Sequence, residues 1–63
     1  MNNIIIEAGG EEYRVVLTFC QDDTWYAQAF TLYSNEEVAF VVGRELNVTM
    51  IGLRQVLQME RGA

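Results

Sequence analysis

Gly9-Gly10 stands between two short runs rich in β-formers, Ile4-Ile5-Ile6-Glu7-Ala8 and Glu12-Tyr13-Arg14-Val15-Val16-Leu17-Thr18-Phe19-Cys20. The primed turns that close tight hairpins need positive φ at their central residues, which glycine adopts without steric cost. The pair therefore predicts a β-hairpin with strands at about 4–8 and 12–20. In the second strand Tyr13, Val15, Leu17 and Phe19 alternate with Arg14, Val16, Thr18 and Cys20. The first set is wholly apolar, which assigns it to the core face.

Gln21-Asp22-Asp23-Thr24 is polar and turn-like, and a third strand follows at about 25–33. Its faces are ambiguous. Trp25, Ala27 and Ala29 lie on one side and Tyr26, Phe30 and Leu32 on the other, so which face is buried stays open. One reading makes the second face rim cover; the other keeps it for a partner. Ser34-Asn35-Glu36-Glu37 then fits a capping box, with Ser34 as N-cap, Glu37 at N3, and Tyr33 and Val38 in the staple positions. It predicts a helix at about 35–46 that turns Val38, Val41, Val42 and Leu46 inward. Asn47-Val48-Thr49 is a plausible break before a second helix at about 50–60 that buries Leu53, Val56 and Leu57. A single, slightly bent helix is the alternative. The expected architecture is one α+β domain over residues 1–63: a three-stranded antiparallel meander followed by one or two C-terminal helices packed on one face.

What supports so small a core is the next constraint. With 63 residues, 51% of them apolar, the chain has room for one small core worth a few kcal/mol. Cys20 is the only cysteine, so no intrachain disulfide can form. A lone thiol at the end of an apolar run reads as buried and inert, and as a sign of a reducing, cytoplasmic setting. No basic, apolar leader opens the sequence and no apolar stretch approaches a bilayer span, so neither secretion nor membrane insertion is expected. Self-association, as a dimer, is the remaining common way to enlarge the buried surface.

The inventory of side chains also removes chemistry. There is no His and no Lys, hence no imidazole base, no catalytic dyad built on one, no Schiff base and no phosphate-loop lysine. The one serine is claimed by the capping box, and the three tyrosines have no evident base beside them. No cofactor motif, metal quartet or small-molecule cleft is indicated. The expectation is a protein that is not an enzyme.

Nine Asp and Glu against four Arg give a net charge of −5. That disfavours phosphate backbones and anionic lipid and favours basic protein surfaces. Threading the chain through a meander gathers Glu7, Glu11, Glu12, Glu36 and Glu37 at one pole, with Asp22 and Asp23 at the other. The pole supports three readings: a docking surface for a basic partner, a solvated turn whose two last carboxylates cap a helix and favour its positive end, or a metal or acid/base site. Its spacing matches no calcium loop. A second candidate surface lies on the helical face, where Phe40 and Arg44, then Ile51, Arg54, Gln55 and Gln58, project away from the buried stripes.

Residues 39–58 also resemble a bacterial helix-turn-helix. Gly43 falls where that motif wants a small residue, Asn47 at its turn, and Leu46, Val48, Leu53 and Val56 at its buried positions. The resemblance implies a DNA-binding regulator reading bases through Arg54, Gln55 and Gln58. Against it, Arg54 is the only charge on the outward positions of the second helix, with Arg61 near the end, and no basic patch supports them. In size and charge the chain is similar in general character to phage- or mobile-element-encoded inhibitors of host machinery, nucleic-acid mimics included. The function expected is thus an acidic interaction module, an inhibitor or adaptor docking on a basic surface of a nucleic-acid-handling protein. The alternatives are the helix-turn-helix regulator and an antitoxin-like or structural homo-oligomeric subunit.

Overall fold

The first hairpin forms as its turn residues dictate. Gly9 and Gly10 both take positive φ, 60° and 84°, and join β1 (Asn3–Ala8) to β2 (Glu11–Phe19). The computed structural model describes the backbone of residues 3–62 and the side chains of residues 3–59. A second tight turn follows β2. The Cys20 N–H donates to the Thr24 carbonyl at 2.7 Å, the Asp23 N–H donates to the Cys20 carbonyl at 3.1 Å, and Asp23 takes φ 64°. Cys20 is only partly buried in this turn, not fully buried as the sequence suggests. The chain then returns as β3 (Trp25–Thr31), two residues shorter than the expected third strand.

Where the capping box predicts a helix, the chain makes a fourth strand, β4 (Glu37–Gly43). The four strands form one antiparallel sheet in the order β1-β2-β3-β4. Ser34 caps nothing. It lies in the β3–β4 turn, where its hydroxyl shares a hydrogen bond with that of Thr31, and Asn35 takes φ 57°. Tyr33, expected to staple a helix, is 98% exposed. The energetic reason is one of scale. A cap contributes about 1 kcal/mol, whereas a fourth strand pairs a whole row of β3 backbone groups that would otherwise face an open edge. Val38, Val41 and Val42 also favour the extended chain.

One helix, α1 (Leu46–Gly62), completes the fold. The expected pair of helices at 35–46 and 50–60 is therefore replaced by a strand and a single longer helix that begins before Asn47. Thr49 lies inside it: its N–H and its hydroxyl both donate to the Glu45 carbonyl, at 2.9 and 2.7 Å. Of the residues expected to turn inward, Leu53 and Leu57 do, while Val38, Val42, Leu46 and Val56 stay exposed.

The helix packs on β4, β3 and β1. Register places Tyr13, Val15, Ala27, Ala29, Ala39 and Val41 on the face beneath it, and Ile6, Ala8, Leu53 and Leu57 complete the core. Phe19, assigned from sequence to this face, is largely exposed at its end, where its ring meets Trp25 at 5.0 Å between centroids. Small residues decide where the helix rests. Ala27 and Ala29 on β3, Ala39 and Gly43 on β4 leave room for it, and a Cβ at Gly43 would collide with the Thr49 hydroxyl. The close approach that a helix-turn-helix reading assigns to Gly43 is real, but it joins a strand to a helix.

Candidate functional site

The acidic pole survives the change of architecture because a strand and a helix starting at residue 35 begin at the same end of a meander. The Gly9-Gly10 turn and the β3–β4 turn share that end, and Glu7, Glu11, Glu12, Glu36 and Glu37 are all exposed there. Glu7 and Glu12 are directly paired across β1 and β2. Glu7, Glu11 and Glu12 border a concavity of about 490 Å³, together with Gly10, Tyr13, Thr31, Leu32 and Tyr33. Glu36 and Glu37 stand apart on the far side of β3, where Gln28 Nε2 donates to a Glu37 carboxylate oxygen at 2.8 Å. Among the described residues no three Asp, Glu, Cys or His side chains converge as metal ligands. The pole is a spread field of charge.

What the structure changes is the electrostatic setting of that field. Glu36 and Glu37 were candidates to sit at the positive end of a helix. The helix instead starts after Gly43, which pairs with Trp25 at the opposite pole, and runs back across the sheet. Its negative C-terminal end points towards the carboxylates, so the dipole adds to their field. At the other pole, Asp22 accepts from the Thr24 hydroxyl at 2.6 Å. That bond, with backbone hydrogen bonds and the nearby Arg44 guanidinium, holds the Asp22 carboxyl below its ordinary value.

The sheet has a second face, and the helix does not cover it. Strand alternation puts Ile5 and Glu7 of β1, Glu12, Arg14 and Val16 of β2, Tyr26, Gln28 and Phe30 of β3, and Glu37, Phe40 and Val42 of β4 on this open side. Ile5, Phe40 and Val42 are each more than half exposed. The centre is ordered by ring contacts: Tyr26 meets Phe40 edge-on at 5.3 Å. The Arg14 guanidinium lies 4.8 Å from the Phe30 centroid and also donates to the Asn35 side-chain oxygen. The two-sided apolar character of the third strand was the sequence signal for this surface. Val42 gave none, because a helix at 35–46 would have turned it inward, and Ile5 needed strand register to be assigned, whereas alternation in the second strand had already put Val16 opposite the core.

The proposed helical face divides. Ile51, Arg54, Gln55 and Gln58 do share one side of α1 and, with Met50, line a shallow groove of about 240 Å³. Phe40 and Arg44 are not part of it. Phe40 belongs to the open side of the sheet, and Arg44 to the turn between β4 and α1. A helix-turn-helix over 39–58 is excluded on geometry, since residues 39–43 are strand and the described residues contain a single helix. Arg61 lies outside the described side chains. No helix among the described residues is long and apolar enough to cross a membrane. Comparison with protein families, curated proteins and solved structures finds no match for the chain.

Proposed function

We propose that the protein is a non-enzymatic docking module, an inhibitor or adaptor, whose partner is a protein with a basic surface. The observation that supports this reading is the open sheet face: an apolar patch of Ile5, Tyr26, Phe40 and Val42 on the same side as Glu7, Glu12 and Glu37. Interfaces commonly combine an aromatic centre that excludes water with a charged rim that steers encounter. The two parts divide the labour here. The pole, with the helix dipole behind it, attracts a cationic surface, and the rings supply the contact area once it arrives. Nucleic-acid-handling proteins present such surfaces, and occlusion of one would make the module an inhibitor. The groove on α1 has no aromatic residue, which favours the sheet face as the main contact.

The test uses immobilised protein and extract from its native host. Wild type is expected to retain a basic protein that moderate salt elutes. Replacing Glu7, Glu11, Glu12, Glu36 and Glu37 together with Gln slows association, while Phe40→Ala speeds dissociation. Identical retention by all three forms would overturn the reading. So would salt-dependent binding to duplex DNA, because a net charge of −5 offers little counterion release.

A further inference from the structure

One arginine already rests on the open face of the sheet, and it shows what that face can hold. The Arg14 guanidinium lies 4.8 Å from the centre of the Phe30 ring and donates to the Asn35 side-chain oxygen. Ring and acceptor together suit a flat cation, whose plane meets the π cloud while an N–H at its rim finds oxygen. The same two parts recur on β4. Phe40 is 53% exposed and is met edge-on by Tyr26 at 5.3 Å. Gln28 is the direct cross-strand partner of Phe40, and its Nε2 donates to a Glu37 carboxylate oxygen at 2.8 Å. That bond draws the carboxylate along the open face towards the ring. A carboxylate offers about four acceptor positions, and this bond uses one. Val42, next on the same side of β4, adds exposed aliphatic surface on which the stem of a long cationic side chain can lie. Among the other arginines with described side chains, Arg44 stands in the turn before α1 and Arg54 on α1 itself, so neither fills this place.

We infer that the partner anchors on this face through an arginine side chain, its guanidinium stacked on Phe40 and its N–H groups donating to the Glu37 carboxylate. The inference rests on the docking reading and names the chemistry of its contact. Charge complementarity selects a cation: Glu7, Glu12 and Glu37 share this side, and the chain carries a net −5. Shape selects arginine over lysine. A guanidinium is planar and weakly hydrated, and it can face a ring while its edge pairs with a carboxylate. An ammonium is a compact, strongly hydrated point charge that gains less from a ring beside water. Arg14 does not compete for the place, because it stands on β2 with β3 between it and Phe40, and Asn35 holds it there.

Two peptides of glycine alternating with a basic residue, arginine in one and lysine in the other, carry equal charge and so isolate the stacking. Each is titrated against isotope-labelled protein and followed by amide chemical shifts. The arginine peptide should bind about threefold more tightly and should shift the amides of Tyr26, Glu37 and Phe40. Phe40→Leu keeps apolar bulk but has no π face, and should bring the two peptides to equal affinity. Phe40→Tyr should keep the preference. Glu37→Gln should weaken arginine binding more than Glu36→Gln, which removes the same charge next door. All three positions are exposed, and the amide spectrum itself reports an intact fold. Equal affinity of wild type for the two peptides overturns the inference. So does a preference that survives Phe40→Leu, a set of shifts confined to residues 7–12, or no binding of either peptide at millimolar concentration. The docking reading is judged separately, by retention of a basic host protein that Phe40→Ala releases faster. That result together with equal peptide affinities removes the arginine and leaves the docking surface.

Discussion

The two faces of the sheet are built from the same strands and reach opposite ends. Under the helix the strands carry mostly alanine and valine beside Ile6 and Tyr13, and burial there approaches completion: Val15, Ala27 and Ala29 are 0% exposed, as is Leu53 of the helix above them. On the open face, one residue along each strand, the side chains are larger. Tyr26, Phe30 and Phe40 stand there with Arg14 and Gln28, and Phe40 remains 53% exposed. A packed core favours side chains that fit beneath a helix with no gap. Large aromatic rings left beside water serve stability poorly, which supports the contact role proposed for this face. The smaller residues hold the fold and the larger ones are available to a partner.

Substitutions should separate the faces by the size of their effects. Leu53→Ala removes a fully buried side chain from the middle of the helix and should destabilise the fold by about 3 kcal/mol. Phe40→Ala, a larger truncation on the open face, should cost less than about 1 kcal/mol in the same urea titration. Equal costs would mean that both faces are core. Gly43→Ala comes next, at about 2 kcal/mol, because the new methyl group must displace the Thr49 hydroxyl, which packs on Gly43 where the helix meets β4 and donates to the Glu45 carbonyl. Pairing it with Thr49→Ala should recover part of that loss if this contact is the cause. Tyr13→Phe should act in the other direction. The Tyr13 hydroxyl is buried with no hydrogen-bond partner among the described residues, and deleting it should stabilise by about 1 kcal/mol.

The smallest effect belongs to the pole away from the acidic cluster. The Thr24 hydroxyl lowers the Asp22 carboxyl below its ordinary 3.8, so the folded state binds that proton less readily than the unfolded chain. The resulting stabilisation is complete above the ordinary value and disappears as pH falls through the lowered one. Since Asp22 is fully exposed, the effect should be slight and sensitive to salt. Thermal melts of wild type and Asp22→Asn should differ at neutral pH and converge in acid. A constant offset across that range would assign the difference to some other feature of the turn.

Local chemistry made the hairpins readable. Gly9-Gly10 and the polar run 21–24 specify turns whose geometry depends only on neighbouring residues, and alternation in β2 identified Tyr13 and Val15 as core. The acidic pole was legible too, for a reason that tolerated error: alternating chain direction sets which end residue 36 occupies, whatever structure follows it. Val38-Ala39-Phe40-Val41-Val42 was not legible. A short apolar run fits the face of a helix or a buried strand equally well, and Ser34 with Glu37 tilted the local balance towards helix.

The sequence alone determined the turns, the direction of the strands, the sign of the charge and the end at which it collects, because each depends on contacts near in the chain or on counting. Tertiary structure decided the rest. Residues 37–43 became a strand because β3 offered a row of backbone partners, which outweighs a cap. That choice moved the helix to residues 46–62 and turned its negative end towards the carboxylates. It also left Phe40 and Val42 in the open on an unpaired edge. Long-range pairing, invisible to any local window, converted a predicted helix cap into the surface on which the protein's interactions are proposed to depend.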